Sequence, residues 1–93
     1  MSENKLKERY HIGDIVEVTD SGRANVDDDT TISEEFRDFN ANNSRGHLEI
    51  YLKYDREGND CYKVKNADNV LSDEGYHWEE LRLIQKHNQQ WDN

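Results

Sequence analysis

The chain has 93 residues, of which 32% are hydrophobic and 35% are charged, and 12 basic against 21 acidic residues give it a net charge of −9. This length predicts one small domain with a limited core. The net charge disfavours direct binding to nucleic acid or to an anionic membrane, because both repel a negative surface.

Cysteine content and apolar runs predict the compartment. Cys61 is the one cysteine, so an internal disulfide is impossible, and the first residues lack the apolar core of a secretory signal. No apolar run approaches the roughly 20 residues of a membrane-spanning helix. We therefore expect a soluble, cytoplasmic protein.

The chain begins with a polar segment, which predicts a flexible leader over residues 1–9 and a folded domain over 10–84. The β-branched residues between His11 and Thr19 predict the first strand. The Asp-Ser-Gly sequence at 20–22 predicts a turn after it.

The segment that follows is the least strand-like part of the chain. Three aspartates at 27–29 repel one another and favour an exposed loop. Thr30 or Thr31, placed ahead of Glu34, indicates the start of a helix.

This helix is predicted over about 32–40. Ile32, Phe36 and Phe39 recur at the spacing that places them on one helical face. That face can dock on a sheet.

The clearest strand begins at residue 48, where hydrophobicity alternates with a period of two. A turn-rich connector at 55–59 and a second alternating segment at 60–65 complete a predicted β-hairpin. Tyr62 and Val64 are expected to join the core. The side chains of the first strand expected to share one face are Leu48, Ile50, Leu52 and Tyr54.

The end of the domain is predicted as a loop over 66–75, followed by two short apolar segments at 76–78 and 81–84. In a small barrel these segments become a short strand, a tight or 3₁₀ turn, and a closing strand. Residues 85–93 are polar apart from Trp91 and predict a tail.

Two segments resemble a known family. Gly13–Val18 (GDIVEV) and Trp78–Ile84 (WEELRLI) resemble the opening and ending of small SH3-like β-barrel proteins encoded by bacteriophages and prophages. The resemblance covers His11–Ile84, with 24–45 as an insertion, and the spacing departs slightly after Trp78. It implies a mainly β fold, an SH3-like small barrel of about five strands with one short inserted helix (about 32–40). SH3-like barrels serve many functions, so the fold alone does not assign one.

No motif in the sequence carries catalytic or metal chemistry. The spacing of the four histidines and Cys61 does not match zinc sites, and an EF-hand loop counted from Asp27 would place Ile32 where glycine is required. A nucleophile pair of Cys61 with His47 or His77 lacks an accompanying oxyanion motif. We expect no enzymatic activity and no cofactor.

Charge is distributed unevenly along the sequence. Residues 14–38 contain nine acidic and two basic residues, and residues 66–80 contain five acidic residues and no basic one. The hairpin region 45–65, by contrast, contains five basic and four acidic residues. This polarity favours capture of a basic protein surface.

We therefore predict an acidic protein-interaction module, of the phage type, that binds and inhibits or redirects a host protein of the transcription, replication or proteolysis machinery. If it is phage-encoded, its compartment is the host cytoplasm. Tyr51 and Trp91 are the aromatic candidates for exposed contacts. The candidate partner-binding residues are Asp27, Asp28, Asp29, Glu34, Glu35, Asp38, Tyr51, Asp73, Glu74 and Trp91.

Two alternatives remain open at this point. The first is a DNA mimic that inhibits a nucleic-acid-binding protein such as RNA polymerase, which requires carboxylates spaced like phosphates. The second is a small nucleic-acid-binding barrel, against which the overall charge argues. Its contacts would come from Lys53, Lys63 and Lys65 with Tyr51 and Tyr62.

Overall fold

A computed structural model describes residues 9–86, which form a five-stranded antiparallel sheet and two α-helices. The expected mainly β class is confirmed, and two helices stand where one was expected. The strands are β1 (Ile15–Val18), β2 (Leu48–Arg56), β3 (Asn59–Lys65), β4 (Tyr76–His77) and β5 (Leu81–Gln85). The helices α1 (Asp20–Asp28) and α2 (Glu34–Asn43) lie between β1 and β2, and a 3₁₀ helix (Trp78–Glu80) joins β4 to β5.

The sheet has the order β4-β3-β2-β1-β5, so β4 and β5 are its edges within the described residues. It is therefore an open sheet there, not the closed barrel that the resemblance implies. The closing strand expected after a 3₁₀ turn is present, because β5 pairs with β1 through Glu17 and Arg82. The first and last strands are thus neighbours.

Helix α1 replaces the turn predicted at 20–22 and part of the loop predicted at 27–29. The Thr19 hydroxyl accepts a hydrogen bond from the Gly22 N–H at 2.9 Å, which caps the helix. Val26 is buried and anchors the helix on the core. Asp27 and Asp28 form its last turn, and Asp29 caps its C-terminus.

Helix α2 confirms the predicted helix but is shifted along the chain relative to 32–40. Ser33 caps it, rather than Thr30 or Thr31, because its hydroxyl accepts the Phe36 N–H at 3.0 Å. The predicted apolar face is confirmed: Phe36 and Phe39 are buried, and Ile32 packs against the core just before the helix.

The alternation of β2 is interrupted, which overturns the expected position of Leu52. Ile50 pairs with Val64 but Leu52 pairs with Lys63, so Tyr51 is an extra residue in the strand. Such a bulge reverses the faces of the residues that follow. Leu52 is consequently 39% exposed, while Ile50 is fully buried.

The hairpin and the core otherwise agree with the sequence. Glu57 and Gly58 have φ values of 55° and 86°, so they form a tight two-residue turn between β2 and β3. Tyr62 and Val64 are completely buried, as predicted. The first strand is shorter than predicted, since it begins at Ile15 and Ile12 is 52% exposed.

The predicted leader and tail fall mostly on residues 1–8 and 87–93, which lie outside the described residues. Gln85, expected in the tail, is the last residue of β5. At 9 and 10 residues, neither described α-helix has the length and apolar character that crossing a membrane requires.

Candidate functional site

Acidic side chains from four separate segments surround one cleft of about 550 Å³. Its carboxylates come from the end of α1, the β2–β3 turn, the loop before β4 and the 3₁₀ helix. We call this surface the acidic cleft. Its carboxylates are Asp28, Asp29, Glu57, Glu74 and Glu80, its other polar lining includes Arg56 and His77, and its apolar lining is Val26, Ile32, Phe36 and Cys61.

The end of α1 is fixed in place by α2. The Arg37 guanidinium donates to the carbonyl oxygens of Asp27 at 2.7 Å and Asp29 at 2.9 Å. These are carbonyls at a helix C-terminus, where a cation is favourable. The Asp29 carboxylate accepts from the Thr31 N–H at 2.8 Å and the Thr31 hydroxyl at 2.6 Å, and these bonds lower its pKa. Asp29 therefore carries its charge at neutral pH.

Two of the described carboxylates, Asp29 and Glu80, have a shifted pKa, and Glu80 is the more buried of the two. Its Oε1 accepts the His77 N–H at 2.9 Å, and the His77 ring nitrogen accepts the Glu79 N–H at 3.3 Å, which completes a capping box. Burial raises the pKa of Glu80, and the bonds from His77 and Asn25 offset part of that rise. A cation bound beside Glu80 would relieve the same cost of burial.

The loop before β4 places Glu74 at the cleft and Asp73 beside it. The Glu74 carboxylate accepts the Ser33 N–H at 2.6 Å, and the Asp73 carboxylate accepts the Ser33 hydroxyl at 2.7 Å. Both acids therefore sit at the N-terminus of α2, where negative charge is stabilised by the helix dipole. Asp73 does not line the cleft.

The cleft has the chemistry of a site for basic side chains. Among the described residues that line it, five carboxylates face one guanidinium, that of Arg56. The aliphatic stem of a lysine or arginine can lie along the apolar lining while its charged end meets carboxylates. Within residues 9–86, no group of three or more His, Cys, Asp or Glu side chains is arranged to hold a metal ion.

Three of the predicted partner-binding residues, Asp28, Asp29 and Glu74, line this cleft. Glu34, Glu35 and Asp38 are exposed on α2 and do not line it, and Asp27 lines a second cleft between the two helices. Trp91 lies outside the described residues. Of the aspartates at 27–29, two therefore line the acidic cleft and one does not.

Tyr51 is not the freely exposed aromatic that its place in β2 predicted. Its hydroxyl donates to the Ser72 carbonyl oxygen at 2.6 Å, and the residue is half-buried. The bulge at this position turns its side chain towards the loop that follows β3. Its contacts are therefore structural in the described chain.

Two cleft carboxylates, Glu57 and Glu80, were not among the predicted site residues. Glu57 lies in a hairpin turn within a locally basic stretch, and Glu80 lies beside the apolar residues of β5. Neither sequence surrounding distinguishes a carboxylate of a binding site from an ordinary acidic residue of the surface. Only the fold brings them next to the end of α1.

The structure separates the residues of the nucleic-acid alternative. Lys53 lies opposite Tyr62, whereas Lys63 and Lys65 alternate to the other face of β3. Tyr62 is completely buried and cannot stack on a base. The residues named for this alternative therefore do not share one face of the hairpin.

Cys61 and His77 are direct partners across β3 and β4 and both line the cleft. The thiol is 4% exposed, and burial raises its pKa, so it stays protonated at neutral pH. This describes a small apolar core residue rather than an activated nucleophile. Comparison of the chain with protein-family models, curated proteins and solved structures found no match.

Proposed function

We propose that this chain is a non-enzymatic binding domain that docks a basic surface of a partner protein in the acidic cleft. One observation carries the proposal: carboxylates from four segments of the chain converge on a single cleft with an apolar lining. Complementary charge of this kind accelerates encounter and excludes wrong partners. The lining adds short-range contacts for the stems of basic side chains.

We further propose that the fold is a variant of the phage-type SH3-like barrel and that its partner is a host protein whose activity it inhibits or redirects. The pairing of β5 with β1 and the 3₁₀ helix that precedes β5 support the fold part of this proposal. The inserted α1 and α2 supply one wall of the cleft. Transcription, replication and proteolysis machinery offers partners with basic surfaces.

The test compares two variants that remove the same charge from different places. Asp28→Asn with Glu57→Gln removes two exposed cleft carboxylates, and Glu35→Gln with Asp38→Asn removes two exposed carboxylates of α2 away from the cleft. The partner is captured from a bacterial lysate, identified by mass spectrometry and purified for titration calorimetry.

We expect the cleft variant to weaken binding by about tenfold, or about 1.4 kcal/mol, at low salt. The control variant should change it by less than about threefold, and added salt should reduce the difference. Equal losses in both variants would mean that bulk charge alone attracts the partner and would contradict the proposal.

Competition with duplex DNA separates this function from DNA mimicry. If the captured partner is displaced by DNA of arbitrary sequence, the domain occupies a nucleic-acid channel as a mimic. If DNA leaves the complex intact, the cleft docks a surface of its own. Recovery of nucleic acid in place of a protein would overturn both.

A further inference from the structure

Arg9 and Tyr10, which lie ahead of β1, contact β3, the 3₁₀ helix and β5. The Tyr10 ring meets the Tyr62 ring edge-on, with centroids 5.2 Å apart and planes at 73°. The Tyr10 hydroxyl donates to the Leu81 carbonyl oxygen at 3.0 Å, and its backbone N–H donates to the Tyr62 hydroxyl at 3.3 Å. Tyr10 therefore joins β3 to β5, which are not neighbours in the sheet.

Arg9 adds a contact of a different kind. Its guanidinium carbon lies 3.6 Å from the centroid of a Trp78 ring, which is the geometry of a cation–π interaction. Trp78 is half-buried in the 3₁₀ helix, and His77 stacks beside it with ring centroids 6.0 Å apart. Arg9 itself is exposed.

The three residues that hold this dipeptide, Tyr62, Trp78 and Leu81, form what we call the strap groove. The Trp78 indole can contact a cation. The Tyr62 ring and the Leu81 carbonyl oxygen can bind a phenol, and the Tyr62 hydroxyl can accept a backbone N–H. Burial raises the pKa of the Tyr10 phenol, so the hydroxyl remains a donor. Two consecutive residues, Arg9 and Tyr10, make these contacts.

These contacts are those of recognition rather than of secondary structure. Arg9 and Tyr10 belong to no strand, and each of the two hydrogen bonds involves a tyrosine hydroxyl instead of a backbone ladder. Tyrosine, tryptophan and arginine are also the residues that dominate binding energy at protein interfaces. The intramolecular occupant thus reports the chemistry that the groove accepts.

We propose that the strap groove is a binding site for a peptide segment in which a basic residue directly precedes tyrosine, and that Arg9–Tyr10 occupies it as an internal ligand. A partner segment of this chemistry must displace Arg9–Tyr10 before it can bind. A tethered occupant acts at an effective concentration on the order of millimolar, so it lowers the apparent affinity for an external segment. The groove is separate from the acidic cleft and does not depend on the function proposed for it.

The test uses the full chain and a synthetic peptide with the sequence of residues 5–12, KLKERYHI. In one variant, Arg9→Ala with Tyr10→Ala, the internal occupant loses its contacts and the groove is vacated. Titration calorimetry should show one-to-one binding to this variant that is at least about tenfold tighter than binding to the unmodified chain. A peptide of the same composition with arginine and tyrosine apart should not bind.

A second variant keeps the test decisive if the first does not fold. Arg9→Ala with Tyr10→Phe retains the ring packing against Tyr62 and should show a smaller gain in affinity for the peptide. Two outcomes overturn the proposal: a folded variant that binds the peptide no better than the unmodified chain does, or equal binding of the rearranged peptide. Binding to the vacated groove should survive Asp28→Asn with Glu57→Gln, which separates this result from failure of the acidic cleft.

Discussion

The acidic cleft and the strap groove both include a residue of the 3₁₀ helix, and they differ in chemistry. On the cleft side, Glu80 and His77 face other carboxylates, and the surface acts through charge. On the groove side, Trp78 meets Arg9 and acts through ring contacts at short range. The short segment 77–80 thus serves two surfaces. The acidic cleft responds to salt and pH, and the strap groove responds to the geometry of its contacts.

Because both surfaces include residues at the 3₁₀ helix, the position of this helix affects the geometry of both. Its C-terminal end is held by the start of α1, since the Thr19 N–H donates to the Glu80 carbonyl oxygen at 2.9 Å. Gly22 of α1 is buried against the same residue. A change at this contact should disturb both surfaces, and changes elsewhere should separate them.

The largest effect is expected from Gly22→Ala. A Cβ at this position would lie 2.6 Å from the Glu80 carbonyl oxygen and 2.7 Å from its Cβ, so backbone must move. Overpacking lowers the free energy of unfolding by up to about 3 kcal/mol, and the higher helix propensity of alanine raises it by up to about 1 kcal/mol. The expected net loss is about 2 kcal/mol. Urea unfolding measures it, and both peptide and partner binding should weaken together.

Gly46→Ala is the matched control, because its nearest neighbour would be the Asn43 carbonyl oxygen at 3.8 Å. Its effect should stay within about 0.5 kcal/mol. If Gly22→Ala is equally mild, α1 does not position the 3₁₀ helix.

The second change acts on a buried hydrogen bond that supports the cleft. The Tyr76 hydroxyl donates to Asn40 Oδ1 at 2.8 Å, and both residues are buried, which ties β4 to α2 next to Phe36. Tyr76→Phe leaves the Asn40 acceptor unsatisfied and should cost about 1.5 kcal/mol. Urea unfolding of Tyr76→Phe, Asn40→Ala and the double variant measures the coupling. A coupling energy near zero would show that this hydrogen bond does not stabilise the contact between β4 and α2 beside the cleft.

The parts of the fold that were predictable from sequence are those with strong local patterns. The β2–β3 hairpin has alternating residues around a Glu-Gly turn, and Phe36 and Phe39 mark the face of α2. The succession of β4, a 3₁₀ helix and β5 was also predicted. In each case, local hydrophobic period and tertiary burial agree.

Helix α1 was missed because its local signals oppose its structure. Its sequence, DSGRANVDD, begins with turn formers and ends with two mutually repelling aspartates. The cap from Thr19, the packing of Gly22 on Glu80 and the guanidinium of Arg37 hold it from outside. Since α1 forms one wall of the acidic cleft, the convergence of the cleft carboxylates could not be predicted either.

The bulge at Tyr51 was missed for a related reason. Leu48, Ile50, Leu52 and Tyr54 alternate without a break in sequence, and no glycine marks the extra residue. The Tyr51 hydroxyl bond to the Ser72 carbonyl lies across the neighbouring strand and has no local signature. The hydrophobic pattern that normally sets strand register therefore does not indicate this bulge.

The third change acts on the groove side alone. Arg9→Ala removes the guanidinium from the Trp78 ring while leaving Tyr10 and its hydrogen bonds in place. Because Arg9 is exposed, its cation–π contact should contribute only about 0.5 kcal/mol. Thermal unfolding measures the loss, and Arg9→Lys should restore part of it. Weakened binding of the basic partner at the acidic cleft would show that the two surfaces are coupled through the 3₁₀ helix.

The smallest effect is expected in the pH dependence of Glu80. Burial raises its pKa above the value in the unfolded chain, so the native state binds more protons between those two values. The resulting stabilisation is present below the unfolded pKa and is lost as pH rises through the folded pKa. Glu80→Gln removes this loss, so the free energy of unfolding of the variant should improve relative to that of the unmodified chain as pH rises above the pKa of an unfolded glutamate.

The size of that improvement is limited, because Glu80 keeps hydrogen bonds from His77 and Asn25 that favour its charged form. Glu79→Gln is the charge-matched control, since it removes an exposed carboxylate of the same 3₁₀ helix. Urea unfolding at several pH values gives both curves. If Glu80→Gln and the unmodified chain run parallel across this range, burial does not strain the cleft carboxylate, and a bound cation gains nothing by relieving it.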